Sequence, residues 1–159
     1  MFTLILGCNN SGKSSYAESI ISSLNGTKRY YIATMIPYGE EGKNRVLKHL
    51  KMRADLNMKT IETPYFNHLD EIEDGSDVLL EDISNLVANR FFDEELSSCD
   101  TIVEEICKLN NRVSNLIVVS ISGIVAKGYD SDTINYINKL NEINSELEHL
   151  ADKTIRMGE

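Results

Sequence analysis

The 159-residue chain carries 16 Lys plus Arg against 25 Asp plus Glu, a formal net charge of −9, with 42% hydrophobic and 26% charged residues. That balance suits a single globular domain over residues 1–159, and an acidic surface repels the phosphates that a nucleic-acid binder has to neutralise, which argues against DNA or RNA as a partner. Cys8, Cys99 and Cys107 are odd in number and form no Cys-x-x-Cys pair, which excludes a disulfide scaffold and points to a reducing compartment. The apolar run MFTLILG is too short for a signal peptide or a membrane span, so the cytoplasm is the expected location.

Short apolar runs alternate with segments of helical period, the pattern of a parallel sheet with crossover helices. In chain order we expect a strand at Phe2–Leu6, a helix at Lys13–Leu24, a strand at Arg29–Ala33, a helix at Asn44–Met52 and a strand at Met58–Glu62. A strand at Asp77–Leu80, helices at Ile83–Phe92 and Thr101–Leu109, a strand at Leu116–Ser120, a helix at Thr133–Leu150 and a strand at Lys153–Met157 complete the series. The last helix has the clearest stripe, through Ile134, Ile137, Leu140, Ile143, Leu147 and Leu150, with Asp130, Ser131 and Asp132 as candidate N-caps. The expected fold is a three-layer α/β P-loop NTPase fold, its sheet mostly parallel with crossover helices on both faces and the final strand antiparallel at an edge. Acidic residues gather at Asp70–Asp77 and at Asp93, Glu94, Glu95, Glu104 and Glu105, where solvated faces are the expectation.

Between the first strand and first helix, Gly7-Cys8-Asn9-Asn10-Ser11-Gly12-Lys13-Ser14 fits G-x-x-x-x-G-K-[ST] at every fixed position. Glycines let the backbone curl so that successive N–H groups point at phosphate oxygens, and the helix N-terminus adds partial positive charge. Lys13 supplies a point charge for the β- and γ-phosphates, and Ser14 a hydroxyl for Mg²⁺. Such a loop needs an acid at the end of a neighbouring strand. Val78-Leu79-Leu80-Glu81-Asp82 ends an apolar run in two carboxylates; Glu81 is the first choice and Asp82 the second, either one being able to cap the helix that follows.

Lys43, Arg45, Lys48, Lys51 and Arg53 cluster within an otherwise acidic chain. Arg45, His49 and Arg53 are spaced by four and share one ridge of a helix. An imidazole between two guanidiniums is a poor structural unit unless an anion covers that face. A neutral imidazole is a competent nucleophile toward phosphorus, with the arginines stabilising developing charge. His68 and His149 are read as surface residues.

Taken in order, GCNNSGKSSYAE (7–18), YIAT (31–34), RVLKHLKMR (45–53), TIE (60–62), LLEDISNLVANRFF (79–92) and NEINSELEHLADKTI (141–155) resemble the bifunctional adenosylcobinamide kinase/adenosylcobinamide-phosphate guanylyltransferase family of cobalamin biosynthesis. The resemblance implies phosphorylation of a corrinoid hydroxyl by a nucleoside triphosphate, GTP or ATP, with Mg²⁺. It further implies guanylylation of a histidine, which falls on His49, and transfer of GMP to the phosphorylated corrinoid. Lys13 and Glu81 join His49 as catalytic residues, and Ser14 and Glu81 as metal ligands. Gly7, Cys8, Asn9, Asn10, Ser11, Gly12, Lys13, Ser14, Ser15, Arg45, Arg53 and Glu62 make up the nucleotide contacts. A homotrimer is implied as well. The chain departs from the family pattern where Ile121-Ser122-Gly123 follows Ser120 in place of Asn-Glu-Val-Gly, where Asp130-Ser131-Asp132 replaces a Pro-Glu pair, and in having no tryptophan. Those departures support two other readings: a small P-loop kinase for another hydroxyl, and a nucleotide-binding paralogue without turnover.

Overall fold

The computed structural model describes residues 1–37, 39–93 and 98–158, apart from the side chains of His49, Met52 and Asp55. The acidic positions Glu94 and Glu95 therefore lie outside the described residues, as does the His49 imidazole. The strands are β1 (Phe2–Gly7), β2 (Arg29–Ala33), β3 (Lys59–Glu62), β4 (Asp77–Glu81), β5 (Asn115–Ile121) and β6 (Lys153–Met157). The helices are α1 (Lys13–Ser23), α2 (Gly39–Asp55), α3 (Ile83–Phe92), α4 (Ile102–Arg112) and α5 (Ser131–Leu150), with a 3₁₀ turn at Cys99–Thr101 ahead of α4.

The strands form one sheet in the order β3-β2-β4-β5-β1-β6, and every pairing is parallel. Alternation along each strand divides the apolar residues between two faces. Phe2, Leu4, Leu6, Ile32, Leu80 and Val118 pack with residues of α3, α4 and α5. Ile5, Tyr31, Leu79, Ile117 and Val119 pack with Ala17 and Ile21 of α1 and with Met58. Burial on both sides explains why β1 and β4 read as unbroken apolar runs.

One expectation is overturned. The last strand is not antiparallel: β6 runs parallel to β1, with Thr3 opposite Lys153 and Gly7 opposite Met157. The cause is α5, which follows β5 after the 122–130 segment and runs for 20 residues, about 30 Å. It returns the chain to the amino-terminal edge of the sheet, so β6 can only enter parallel. Asp152 fixes that entry: its backbone N–H donates to the Phe2 carbonyl at 2.9 Å, and its carboxylate accepts from the Phe2 N–H at 2.7 Å. Asp77, expected on a solvated acidic face, is another correction. It is buried at the start of β4 and accepts from the Asn115 side chain at 2.8 Å, because the core strand begins within the acidic run.

Helix ends follow their caps. Asp82 accepts from the Asn85 N–H at the start of α3, and Asp130 from the Thr133 N–H at the start of α5. On the α5 stripe Ile137, Leu140, Ile143 and Leu147 are buried, whereas Leu150 at the C-terminus is exposed. Helix α2 is different. Among its described side chains Arg53 alone is buried, while Arg45, Leu47, Lys48 and Lys51 are exposed.

Arg90 ties the lower half of α3 to its surroundings. Its guanidinium donates to the carbonyls of Tyr65 and Ser98, and to both oxygens of Glu105 at 2.6 and 3.1 Å. The Arg90 side chain is 2% exposed and that of Glu105 33%, so removing the cation strands several buried acceptors but leaves Glu105 some water. Arg90→Ala is therefore expected to cost about 3 kcal/mol, the lower end for breaking a buried pair. Guanidinium unfolding measures it, and a loss below about 1 kcal/mol would show that the pair is as weak as a surface one.

A phosphate-binding loop facing a buried carboxylate

The C-terminal ends of parallel strands are where this fold class gathers its ligands. β1 ends at Gly7, β4 at Glu81 and β3 at Glu62, all on that edge. At Gly7 a Cβ would overlap the backbone carbonyl oxygen of Met157 in β6; only glycine permits this approach of strand to loop. Gly12 has φ 85° and Asn10 φ 59°, left-handed conformations that curl the loop. A cleft of about 320 Å³ opens over it, lined by Asn9, Asn10, Ser11, Gly12, Lys13, Ser14, Ser15, Asp82, Val119 and Ile121.

Lys13 is buried, and its Nζ donates to the Cys8 carbonyl at 2.5 Å and lies 3.4 Å from Ser11 Oγ. Ser14 Oγ donates to Glu81 Oε2 at 3.1 Å. The same oxygen accepts from the Tyr31 hydroxyl at 2.9 Å. Glu81 Oε1 is buried with no hydrogen-bond partner among the described residues. Burial pushes the Glu81 carboxyl above its ordinary range, and the hydrogen bonds from Tyr31 and Ser14 offset part of that rise. Burial, reinforced by the nearby Glu81 charge, pushes the Tyr31 phenol up as well, so Tyr31 acts as a donor. Asp82 is raised by burial too, but its Oδ1 is occupied by Ser84 Oγ and the Asn85 N–H. Asp82 therefore caps α3, while Glu81 keeps an oxygen without a protein partner among the described residues.

A hydroxyl beside a carboxylate with an unpaired oxygen is a hard-oxygen donor set. It suits Mg²⁺, which takes few protein ligands and completes its shell with water and substrate phosphate. No group of three or more His, Cys, Asp or Glu that could hold a metal occurs among the described residues.

The strand end is held by residues that the sequence reading did not single out. Thr34, buried, accepts from the Asp82 N–H at 2.9 Å and donates to the Asp82 carbonyl at 2.8 Å, while its own N–H donates to the Glu81 carbonyl at 3.0 Å. Asn89 of α3 donates to the carbonyls of Thr34 and Pro64, both at 2.8 Å. Tyr31 and Thr34 bound the Tyr-Ile-Ala-Thr segment, which was legible as a motif but not as a clamp.

Of the remaining candidates, Glu62 ends β3 on the same edge, while Arg45 and Arg53 lie on α2. Arg53 is buried, donates from Nε to Thr60 Oγ1 at 3.3 Å and stacks 3.7 Å from the Tyr31 ring centroid. Arg45 is exposed on α2. Glu62 and Glu81 both pair with Ala33 from opposite sides of β2, which places their backbones about 10 Å apart by strand spacing. Glu62 lines a separate cleft of about 410 Å³ with Thr60, Ile61, His68, Asp70 and Glu71.

The raised Glu81 carboxyl gives a pH-dependent expectation. A folded-state pKa above the ordinary 4.5 means that its stabilising contribution is complete below that value and is lost as pH rises through the folded pKa. Glu81→Gln, which keeps an acceptor for Ser14 and Tyr31 without the charge, is expected to match the native chain below pH 4.5 and to exceed its stability increasingly toward neutrality. Thermal unfolding in metal-free buffer across that range reads the difference; a constant gap would contradict the assignment.

Three comparisons bear on what this edge is for. The family model described as "Cobinamide kinase / cobinamide phosphate guanyltransferase" matches residues 3–158. A comparison with curated proteins found no match. Among solved structures, an ATPase from the type III secretion system of pathogenic bacteria superposes with a TM-score of 0.60 at 11% identity, covering 98% of this chain and 50% of that one. The chain thus spans half the length of that ATPase. The flagellar accessory protein FlaH from Methanocaldococcus jannaschii superposes with a TM-score of 0.54 at 15% identity, covering 98% of this chain and 70% of the other. At such identities the structural likeness speaks to the fold alone. The family match spans nearly the whole chain and includes the loop, the Tyr31–Thr34 segment, α2 and the Glu81 strand end: the chain belongs to the cobinamide kinase / cobinamide phosphate guanyltransferase family.

Proposed function

We propose that the chain transfers the γ-phosphate of a nucleoside triphosphate to the hydroxyl of adenosylcobinamide, and then passes GMP from GTP through His49 to the resulting phosphate. The observation that carries this reading is the meeting of Ser14 and Tyr31 on one oxygen of Glu81, beside the curled loop that ends in Lys13. Family membership supports the transferase class and the corrinoid acceptor, while His49 as the carrier of GMP is our assignment.

In the first reaction the loop amides and Lys13 hold the β- and γ-phosphates. Lys13 reaches them by leaving the Cys8 carbonyl that it now occupies. Ser14 and Glu81 would hold Mg²⁺, which neutralises phosphate charge when bound. The acceptor hydroxyl attacks the γ-phosphorus, the bond to the β–γ bridging oxygen breaks, the nucleoside diphosphate leaves and the hydroxyl proton passes to solvent.

In the second reaction a neutral His49 nitrogen attacks the α-phosphorus of GTP, the bond to the bridging oxygen breaks and pyrophosphate leaves. The phosphoramidate so formed is attacked by a phosphate oxygen of the phosphorylated corrinoid, which regenerates the imidazole. Arg45, exposed on the same helix, is available to the phosphate oxygens as charge develops. Ser15 and Glu62 are assigned to the nucleotide on the same reading, Glu62 from the next cleft along the edge. The homotrimer belongs to this proposal too.

A kinase for a different hydroxyl is the second reading. It is favoured by the 122–130 segment, which forms no helix or strand beside the cleft and leaves Val125 and Tyr129 exposed.

Incubation with α-labelled GTP and Mg²⁺, followed by denaturation, separates the two. Covalent label that is acid-labile and alkali-stable is expected on the native chain and not on His49→Ala. Label of equal intensity on His49→Ala would remove His49 from the mechanism. Absence of label on the native chain, with hydroxyl phosphorylation intact, would leave the kinase alone.

A further inference from the structure

The link between α2 and the loop acid runs through a single side chain. Tyr31 sits in the middle of β2, 5% exposed, on the sheet face covered by α1. One side of its ring is covered by the Arg53 guanidinium at 3.7 Å, and its hydroxyl reaches Glu81 Oε2 at 2.9 Å. Arg53 is itself fixed by Thr60 in β3. From the other side Ser14 donates to the same Glu81 oxygen. Four side chains from α2, β2, β4 and α1 thus stand in series: Arg53, Tyr31, Glu81, Ser14.

The geometry decides what each can contribute. Ser14 spends its proton on Glu81, which keeps its oxygen lone pairs available to a cation. Its hold on the carboxylate is then shared with any cation it ligates, whereas Tyr31 has no such second duty. A phenol whose ring is packed in the core and capped by a guanidinium is a rigid donor. A single Glu81 oxygen takes both donors, and the other is left without a protein partner among the described residues.

We infer that Tyr31 is a positioning residue for the Mg²⁺-nucleotide site: it anchors Glu81 Oε2 so that Oε1 stays presented, and Arg53 holds the Tyr31 ring to that task instead of contacting phosphate. The inference rests on the nucleotide–Mg²⁺ reading of the cleft proposed above. It gives the buried arginine of the basic helix a role in the phosphate loop's metal dependence, away from the exposed ridge where Arg45 lies.

The split between metal-dependent and metal-independent binding tests it, because a general loss of structure would lower both. The full chain is titrated with methylanthraniloyl-GTP in EDTA and again across a range of MgCl₂, with the unfolding transition of each variant followed in parallel. Tyr31→Phe keeps the ring and removes the donor. It is expected to bind the probe in EDTA within about two-fold of the native chain, and to need about ten-fold more Mg²⁺ for half-maximal enhancement, as befits one lost hydrogen bond to a charged group. Arg53→Met keeps the length and removes the cation; a shift of about three-fold in the same direction is expected, with EDTA binding again unchanged.

An unchanged Mg²⁺ requirement in Tyr31→Phe would overturn the inference. So would a loss of probe binding by Arg53→Met that is equal with and without metal, because that result puts the guanidinium on the phosphates. If the native chain shows no Mg²⁺-dependent binding, the proposed function falls and takes this inference with it. If it shows that dependence and the variants do not shift it, this inference alone falls.

Discussion

A carboxylate buried at the end of a core strand is the constraint around which the rest is arranged. Desolvating Glu81 is unfavourable, and the chain offsets that with donors from α1 and β2 while leaving one oxygen with no described protein partner. Everything that fixes those donors follows from the sheet. Parallel pairing brings Gly7, Ala33 and Glu81 to one edge. The core beneath Tyr31 holds its ring, and Thr34 and Asn89 prevent the strand end from drifting. Burying an acid is poor for stability, and such a group is the kind that functional sites use.

Parts of this were open to sequence reading because they are written contiguously. The loop is eight consecutive residues with fixed types. The acid falls where an apolar run turns polar, and α5 shows its stripe over twenty residues. Each of these signals depends on neighbours within one or two turns or strands, so the pattern carries the physics directly. The two acids at the end of β4 divide their contacts: Asp82 caps α3, and Glu81 accepts from Ser14 and Tyr31.

Other parts were hidden because they are tertiary. Alternation says that Tyr31 projects from β2 and that Thr34 follows its end, but not that β4 is the strand beside them, so their hydrogen bonds to Glu81 and Asp82 could not be read. A five-residue strand such as β6 has no pattern that encodes direction; the length of α5 decides it. Asp77 looked solvated because its sequence neighbours are, whereas its surroundings are set by Asn115 from another strand. Helix α2 starts at Gly39, ahead of the expected Asn44, and the weak helix formers Gly39 and Gly42 hide that first turn from a sequence pattern. The basic ridge likewise looked uniform in sequence, yet Arg53 is buried and Arg45 exposed, a difference that only the adjoining strands create.

The Lys13 ammonium already rests on a carbonyl of its own loop. On the nucleotide reading proposed above, engagement would be an exchange of acceptors, the cation leaving a neutral oxygen for a charged one. The cation at the start of α1 is thus held and oriented by the backbone of its own loop, so its charge occupies a fixed place beside the cleft.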